Sequence, residues 1–213
     1  MTESSPTPTP TPRRSRTERG TDTRAAILAA TEAVLLAEGI EGVSIRKVAE
    51  RCGFTAPTIY HHFGDKTGLI DTVLEERFRE VLAIMQAIER GPDAAVYMRE
   101  TGQAFIAFAL ENPDHYRLLS VPRGADQAVP SAEQARDLVK GALEDLAREG
   151  TLATADIEEA FQLVWAVMHG VISLHLMAPR SEISKNLAAL SFDVMEAGLF
   201  RKKSSARRQE ESP

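Results

Sequence analysis

The chain has 213 residues, 43% hydrophobic and 26% charged, enough for one or two modest domains with a real core. Its single cysteine, Cys52, excludes an intramolecular disulfide and predicts a reducing, cytoplasmic setting, and the N-terminus lacks the apolar region of a secretory signal. The net charge of −6 weighs against nucleic acid as a partner, but basic residues slightly outnumber acidic ones in the first seventy positions, while the remainder is acidic. A locally basic head on an acidic body still suits a polyanion, because the field at the contact face matters more than the total.

Residues 1–12 form a Thr-Pro repeat whose prolines remove amide donors and favour extended, disordered chain. A basic cluster follows, with Arg13, Arg14, Arg16 and Arg19. It reads either as a solvated charge run or as an arm that orders on DNA phosphates or reaches the minor groove. The first helix is predicted over about Thr23 to Glu38. Ala26, Ile27, Ala30, Val34 and Leu35 recur at helical spacing, and Gly39 acts as its stop.

The stretch from Val43 to Lys66 carries two short helical patterns around a glycine-bearing turn. Ser44 is an N-cap, Ile45, Val48 and Ala49 share a face, and Gly53 fits a left-handed C-cap. Phe54 fills the corner. Thr55 is a second N-cap candidate, and Pro57 sits in the first turn, where its missing N–H is tolerated. The second helix runs from Ala56 to about His62. Spacing alone leaves an ordinary helical corner and a DNA-binding helix-turn-helix equally open.

A long helix is predicted from Asp65 to about Glu89, with Leu69, Ile70, Val73, Leu74, Phe78, Val81, Leu82 and Met85 as its apolar stripe, ended by Gly91-Pro92. Only helices follow: about Asp93–Glu111, Pro113–Ser120, Ser131–Glu149, Thr154–Met177 and Ser181–Arg201. The apolar run from Leu163 to Ala178 is shorter than the ~20 residues that cross a bilayer, so no membrane partner is expected. The tail beyond Arg201 reads as disordered.

Several of these residues together resemble a known family. Glu38-Gly39, Val43-Ser44-Ile45-Arg46-Lys47-Val48-Ala49, Cys52-Gly53-Phe54, Thr58-Ile59-Tyr60, His62-Phe63 and Lys66 resemble the DNA-binding domain of the tetracycline-repressor (TetR) family of bacterial transcriptional regulators. Trp165 to Gly170 resembles the signature of that family's WHG-type C-terminal domain. The resemblance implies an all-α fold. A basic arm (1–20) precedes a three-helix DNA-binding domain (21–68). A larger helical ligand-binding and dimerisation domain (69–201) and a tail (202–213) follow. It also implies double-stranded operator DNA, a second copy of the chain and an unknown small-molecule effector as partners, with no cofactor, metal or catalytic residue. The ligand is expected to act by tilting the long 65–89 helix and so changing the spacing of two recognition helices.

The residue chemistry assigns roles within that frame. Ser44, Thr55, Tyr60, His62 and Lys66 suit phosphate contacts. Arg46 suits a phosphate or a base edge. Thr55, Ala56, Pro57, Thr58 and His61 are left to face the bases. The helix they occupy lacks Arg, Lys, Asn and Gln, the usual bidentate base readers, so Arg46, Lys47, the arm residues Arg13, Arg14 and Arg16, and DNA shape are expected to share the choice of sequence. Phe54, Ile59, Phe63, Val48, Ile45 and Cys52 are expected to pack.

In the body, Phe78, Met85, Tyr97, Phe105, Phe108, Tyr116, Trp165, Met168 and Met177 are candidates to line an apolar cavity, with His115, His169 and His175 as polar contacts. His169 and His175 are six apart, on different faces of a helix, so no metal site is expected. Ala160, Gly170 and Ser173 on one long helix, and Ile183, Leu187, Leu190, Val194 and Leu199 on the next, are candidates for a dimer interface. The rival readings are an all-helical enzyme, disfavoured by the absence of any nucleophile, zinc or phosphate-loop motif, and a helical adaptor or ligand-binding protein that does not bind DNA.

Overall fold

The structure, a computed structural model, describes residues 16–121, 129–178 and 186–200, with side chains from residue 20 onward. Among the described residues the regular structure is helical: α1 (Arg16–Gly42), α2 (Ile45–Cys52), α3 (Ala56–Phe63), α4 (Lys66–Gln86), α5 (Ala94–Glu111), α6 (Pro113–Leu119), α7 (Pro130–Arg148), α8 (Ile157–Met177) and α9 (Leu187–Gly198). One isolated antiparallel bridge joins Leu152 to Phe200. The chain divides into two compact units, residues 1–72 and 73–213.

The first unit is α1 to α3 with the opening turns of α4. Helix α1 starts earlier than the apolar periodicity requires, at Arg16, and is kinked at Gly39, whose backbone is non-helical. Ile27, Val34, Val43, Val48, Ile59 and Leu69 are almost wholly buried and form its core. Ser44 caps α2, its hydroxyl accepting from the Lys47 N–H at 3.2 Å. Gly53 has φ 75°, a left-handed geometry that a side chain would strain, and its N–H donates to the Ala49 carbonyl at 3.0 Å.

Phe54 and Phe63 are only half-buried, unlike Ile45, Val48 and Ile59. The small head has too little interior for two more aromatic rings, and Phe63 is covered by the Arg24 guanidinium, 5.7 Å from its centroid. Two residues, Gly64 and Asp65, separate α3 from α4. Asp65 caps α4, its carboxylate accepting from the Gly68 N–H at 2.8 Å. A Cβ on Gly68 would lie 2.4 Å from the Phe63 carbonyl oxygen, so the joint closes only around glycine.

The second unit is a bundle in which α5 packs on α7, α8 and α9, and α7 on α8. Leu143, Ala160, Val164, Ile172 and Phe192 are almost wholly buried at its centre. Asp93 caps α5 through the Ala95 and Val96 amides, and Asp156 caps α8 through Glu158 and Glu159. The α8 cap therefore lies at Asp156, two residues beyond the predicted start. The N-terminus of α7 has no cap of its own. Glu75 of α4 supplies one, accepting from the Ser131 N–H at 3.0 Å and from its hydroxyl at 2.6 Å. Burial raises the Glu75 pKa, but these bonds and Arg79 outweigh it and hold the carboxyl below its usual range. Arg99 ties α5 to α9 through Glu196 and Asp193, at 2.6 and 2.7 Å.

Helix α8 spans 21 residues, and by length and composition alone it is apolar enough to cross a membrane. Its inner face packs in the bundle core. The expected stripes on α8 and α9 divide between two faces. Ala160, Leu199 and, in part, Ser173 and Leu187 turn inward, while Gly170, Leu190 and Val194 turn outward, joined there by Leu174, which the sequence did not single out. Ile183 lies outside the described residues.

Replacing Gly68 by Ala gains the ~1 kcal/mol of helix propensity that glycine lacks. The clash with the Phe63 carbonyl is expected to exceed it, for a net loss of about 1–2 kcal/mol. Hydrogen exchange should show amides of the first unit opening more often, with those of α5, α7 and α8 unchanged.

Candidate nucleic-acid interface and ligand cavity

In the first unit, the turn between α2 and α3 leaves one side of α3 in solvent. Thr55, Pro57, Tyr60 and His61 are exposed, Tyr60 to 50%, while Ala56, Thr58 and His62 are half-buried. Ile59 anchors the opposite side of the helix with no exposed surface. Thr55 occupies the N-cap position in extended backbone but makes no side-chain cap bond. Its hydroxyl pairs instead with that of Thr58, at 2.9 Å. The His61 and His62 rings meet edge-on, 5.5 Å between centroids.

On α2, Ser44 and Arg46 are exposed, and Arg46 pairs with Glu50 one turn later at 2.9 Å. Lys47 differs from its neighbour. Its ammonium turns back onto Glu38 and the Gly42 carbonyl, so it fastens α2 to the end of α1. Lys66 is half-buried at the first position of α4. Arg13 and Arg14 lie outside the described residues, as does the Arg16 side chain.

The second unit holds a cavity of about 190 Å³. Six of the residues picked from the sequence line it: Phe78, Met85, Tyr97, Phe105, Trp165 and Met168. Trp165, 43% exposed, stands at its edge. Phe108, His115, Tyr116 and His169 are not among the lining residues. They pack behind it as a polar-aromatic layer. The Tyr116 hydroxyl bonds His169 Nδ1 at 2.9 Å and lies 3.4 Å from the Ser173 hydroxyl. The His169 ring stacks on Trp165 at 4.3 Å, and His115 lies beside Glu80 and Arg77. Met177, also picked, is 85% exposed at the end of α8, and His175 Nδ1 is spent on the Val171 carbonyl.

Sequence reasoning missed the α7 wall: Ala132, Ala135, Arg136 and Val139. It also missed Thr101 on α5. Met98 and Phe161, of the residue types selected, were missed as well, because which fillers meet the opening depends on helix rotation; small residues such as Ala132 and Ala135 leave space and carry no sequence signal. Among the described residues, no group of three or more His, Cys, Asp or Glu is placed to hold a metal ion.

Comparison with known proteins adds an independent line. Residues 27–73 match the family described as bacterial regulatory proteins, tetR family, and residues 98–197 match a tetracyclin repressor-like C-terminal domain. Together they cover about two thirds of the chain. The chain is 26% identical over 125 residues to the HTH-type transcriptional activator FasR of Mycolicibacterium smegmatis, a match spanning 55% of this chain and 57% of that relative. Its fold is similar to that of a TetR family transcription regulator from Marinobacter aquaeolei VT8, with TM-score 0.71 and 18% identity over 87% of this chain and 100% of that one. It is also similar to the transcriptional regulator FadR from Bacillus subtilis, solved in complex with stearoyl-CoA, with TM-score 0.64 and 17% identity over 81% and 95% of the two chains.

Burial pushes His169 down from its ordinary 6.5 to about 4. The folded protein therefore keeps it neutral while an unfolded chain binds a proton below 6.5, and stability falls as pH drops from 6.5 towards 4. Thermal melts across that range should show the wild type losing more stability than His169→Gln. Parallel curves would remove the effect.

Proposed function

The chain belongs to the tetR family of bacterial regulatory proteins, and from that premise we propose that it is a DNA-binding transcriptional regulator whose α3 enters the major groove of operator DNA. The observation that carries this reading is the capped α2–turn–α3 pair, with Ile59 buried beneath and Thr55, Pro57, Tyr60 and His61 exposed above. Ser44 with the first amides of α2, Tyr60, His62 and Lys66 take phosphates. Ala56, Pro57, Thr58 and His61 face base edges, joined by Arg46 once it leaves Glu50. The basic segment with Arg13, Arg14 and Arg16 adds a second, weakly directional hold. We assign the protein no catalytic role.

The working unit is a homodimer. One three-helix head covers one half-site, and a two-fold pair reads a pseudo-palindrome. The outer face of α8 and α9 supports that assembly. Leu163, Leu174, Met177, Leu190 and Val194 are all exposed, Val194 to 63%, and lie along the outer side of the two helices. Gly170 lies among them and allows close helix approach. A second copy offers the same face, so the contact is self-complementary.

The cavity is the effector site. Its wall is drawn from α4, α5, α6, α7 and α8, and two residues separate α4 from α3. A small apolar ligand that favours one setting of α4 lowers DNA affinity by its differential affinity for the two settings. Repression relieved by the ligand is the mode we assign. Because a relative is named an activator, a promoter–reporter strain is the deciding assay: deletion should raise expression, and a fall would assign activation.

DNA from beside the protein's own coding region should bind with a steep salt dependence. Tyr60→Ala combined with His62→Ala should weaken that binding at least about tenfold, the value of one lost charged hydrogen bond, with melting temperature and dimer intact. Unchanged affinity would remove the phosphate-clamp roles. Sedimentation should show Leu174→Glu with Val194→Glu shifting the protein to monomer, with a parallel loss of operator affinity.

A further inference from the structure

Three of the described helical hydroxyls share a pattern that Thr101 does not follow. Thr31, Thr72 and Ser191 each donate to the carbonyl four residues earlier, at 2.8, 2.7 and 2.8 Å. Thr101 on α5 does not. Its Oγ1 is buried without any hydrogen-bond partner, the residue is only 4% exposed, and it lines the cavity. An unpaired buried hydroxyl is destabilising, because it has given up water and gained nothing. Elsewhere in the wall only Tyr97, Trp165 and Arg136 carry a side-chain oxygen or nitrogen, and Thr101 Oγ1 bonds none of them.

We propose that Thr101 is the polar anchor of the cavity and that the effector is a small neutral molecule, apolar except for one hydroxyl or carbonyl oxygen that bonds Thr101 Oγ1. The proposal rests on reading the cavity as the effector site. A threonine hydroxyl both donates and accepts, so either oxygen type suits it. The size follows from the volume: an apolar cavity of about 150 Å³ holds benzene, so about 190 Å³ holds a ring with a short alkyl chain. Arg136, the one charged residue in the lining, does not call for an anion. Its guanidinium lies over the Phe161 ring at 5.6 Å, and it already acts electrostatically on Glu158.

The test uses two probes of nearly equal shape, 4-ethylphenol and ethylbenzene, titrated calorimetrically into the full-length protein, Thr101→Val and Thr101→Ser. Valine keeps the shape and removes the hydroxyl; serine keeps the hydroxyl. In Thr101→Val, 4-ethylphenol should bind about tenfold more weakly than in the wild type, with ethylbenzene unchanged or tighter. Thr101→Ser should retain the wild-type preference for the phenol. Equal losses for both probes in Thr101→Val, or a phenol preference that survives it, would overturn the anchor. If neither probe binds the wild type, both the anchor and the cavity's effector role fall. Operator binding by the same preparation, measured alongside, reports separately on the DNA-binding reading.

Discussion

Helix α8 carries apolar side chains around more of its circumference than its own unit can cover. Ala160, Val164, Met168, Val171 and Ile172 occupy the inner face and are buried. Leu163, Trp165, Leu174 and Met177 remain in solvent on the other side. This surplus explains three otherwise separate properties. It gives the helix a membrane-like composition, it leaves a face suited to a second copy of the chain, and it sets Trp165 at the edge of the cavity with its ring stacked on His169. An isolated subunit of this design exposes hydrocarbon that association would remove from water.

The inner side of the bundle is held by polar links that are few and directional. Arg99 reaches two carboxylates on α9, and both raise its already high pKa. Glu75 closes the start of α7 from α4, and the Tyr116 hydroxyl joins α6 to α8 through His169 and Ser173. These links fix the edges of the space between α4, α5, α7 and α8 while its walls stay apolar and, in Met85, Met98 and Met168, pliable.

Much of this architecture was legible in the sequence because the signals that set it are local. Ser44, Gly53, Asp93 and Asn112-Pro113 each declare a helix end within four residues of chain, and the 3.6-residue periodicity declares which face is buried. Where local signals compete, boundaries move: Thr154 offers a helix start, although Asp156, followed by Glu158 and Glu159, is the better cap. The cavity was half legible. Residue type identifies Phe78, Met85 and Trp165 as fillers of apolar space, but which fillers meet an opening depends on helix rotation. Tyr116 and His169, 53 positions apart, belong to a hydrogen bond that periodicity cannot see. The unpaired state of Thr101 has no sequence signature at all, since Thr31 and Thr72 look the same in one dimension.

The glycine joint between α3 and α4 has a mechanical consequence. Because Gly68 lies against the Phe63 carbonyl and Asp65 holds the first turn of α4, the joint has no slack, so α3 and the start of α4 rotate as one piece. A helix of this length is about 30 Å long, so a tilt of roughly 5° about one end sweeps the other by ~2–3 Å, comparable to the spacing of adjacent base pairs. The amplification is set by helix length alone.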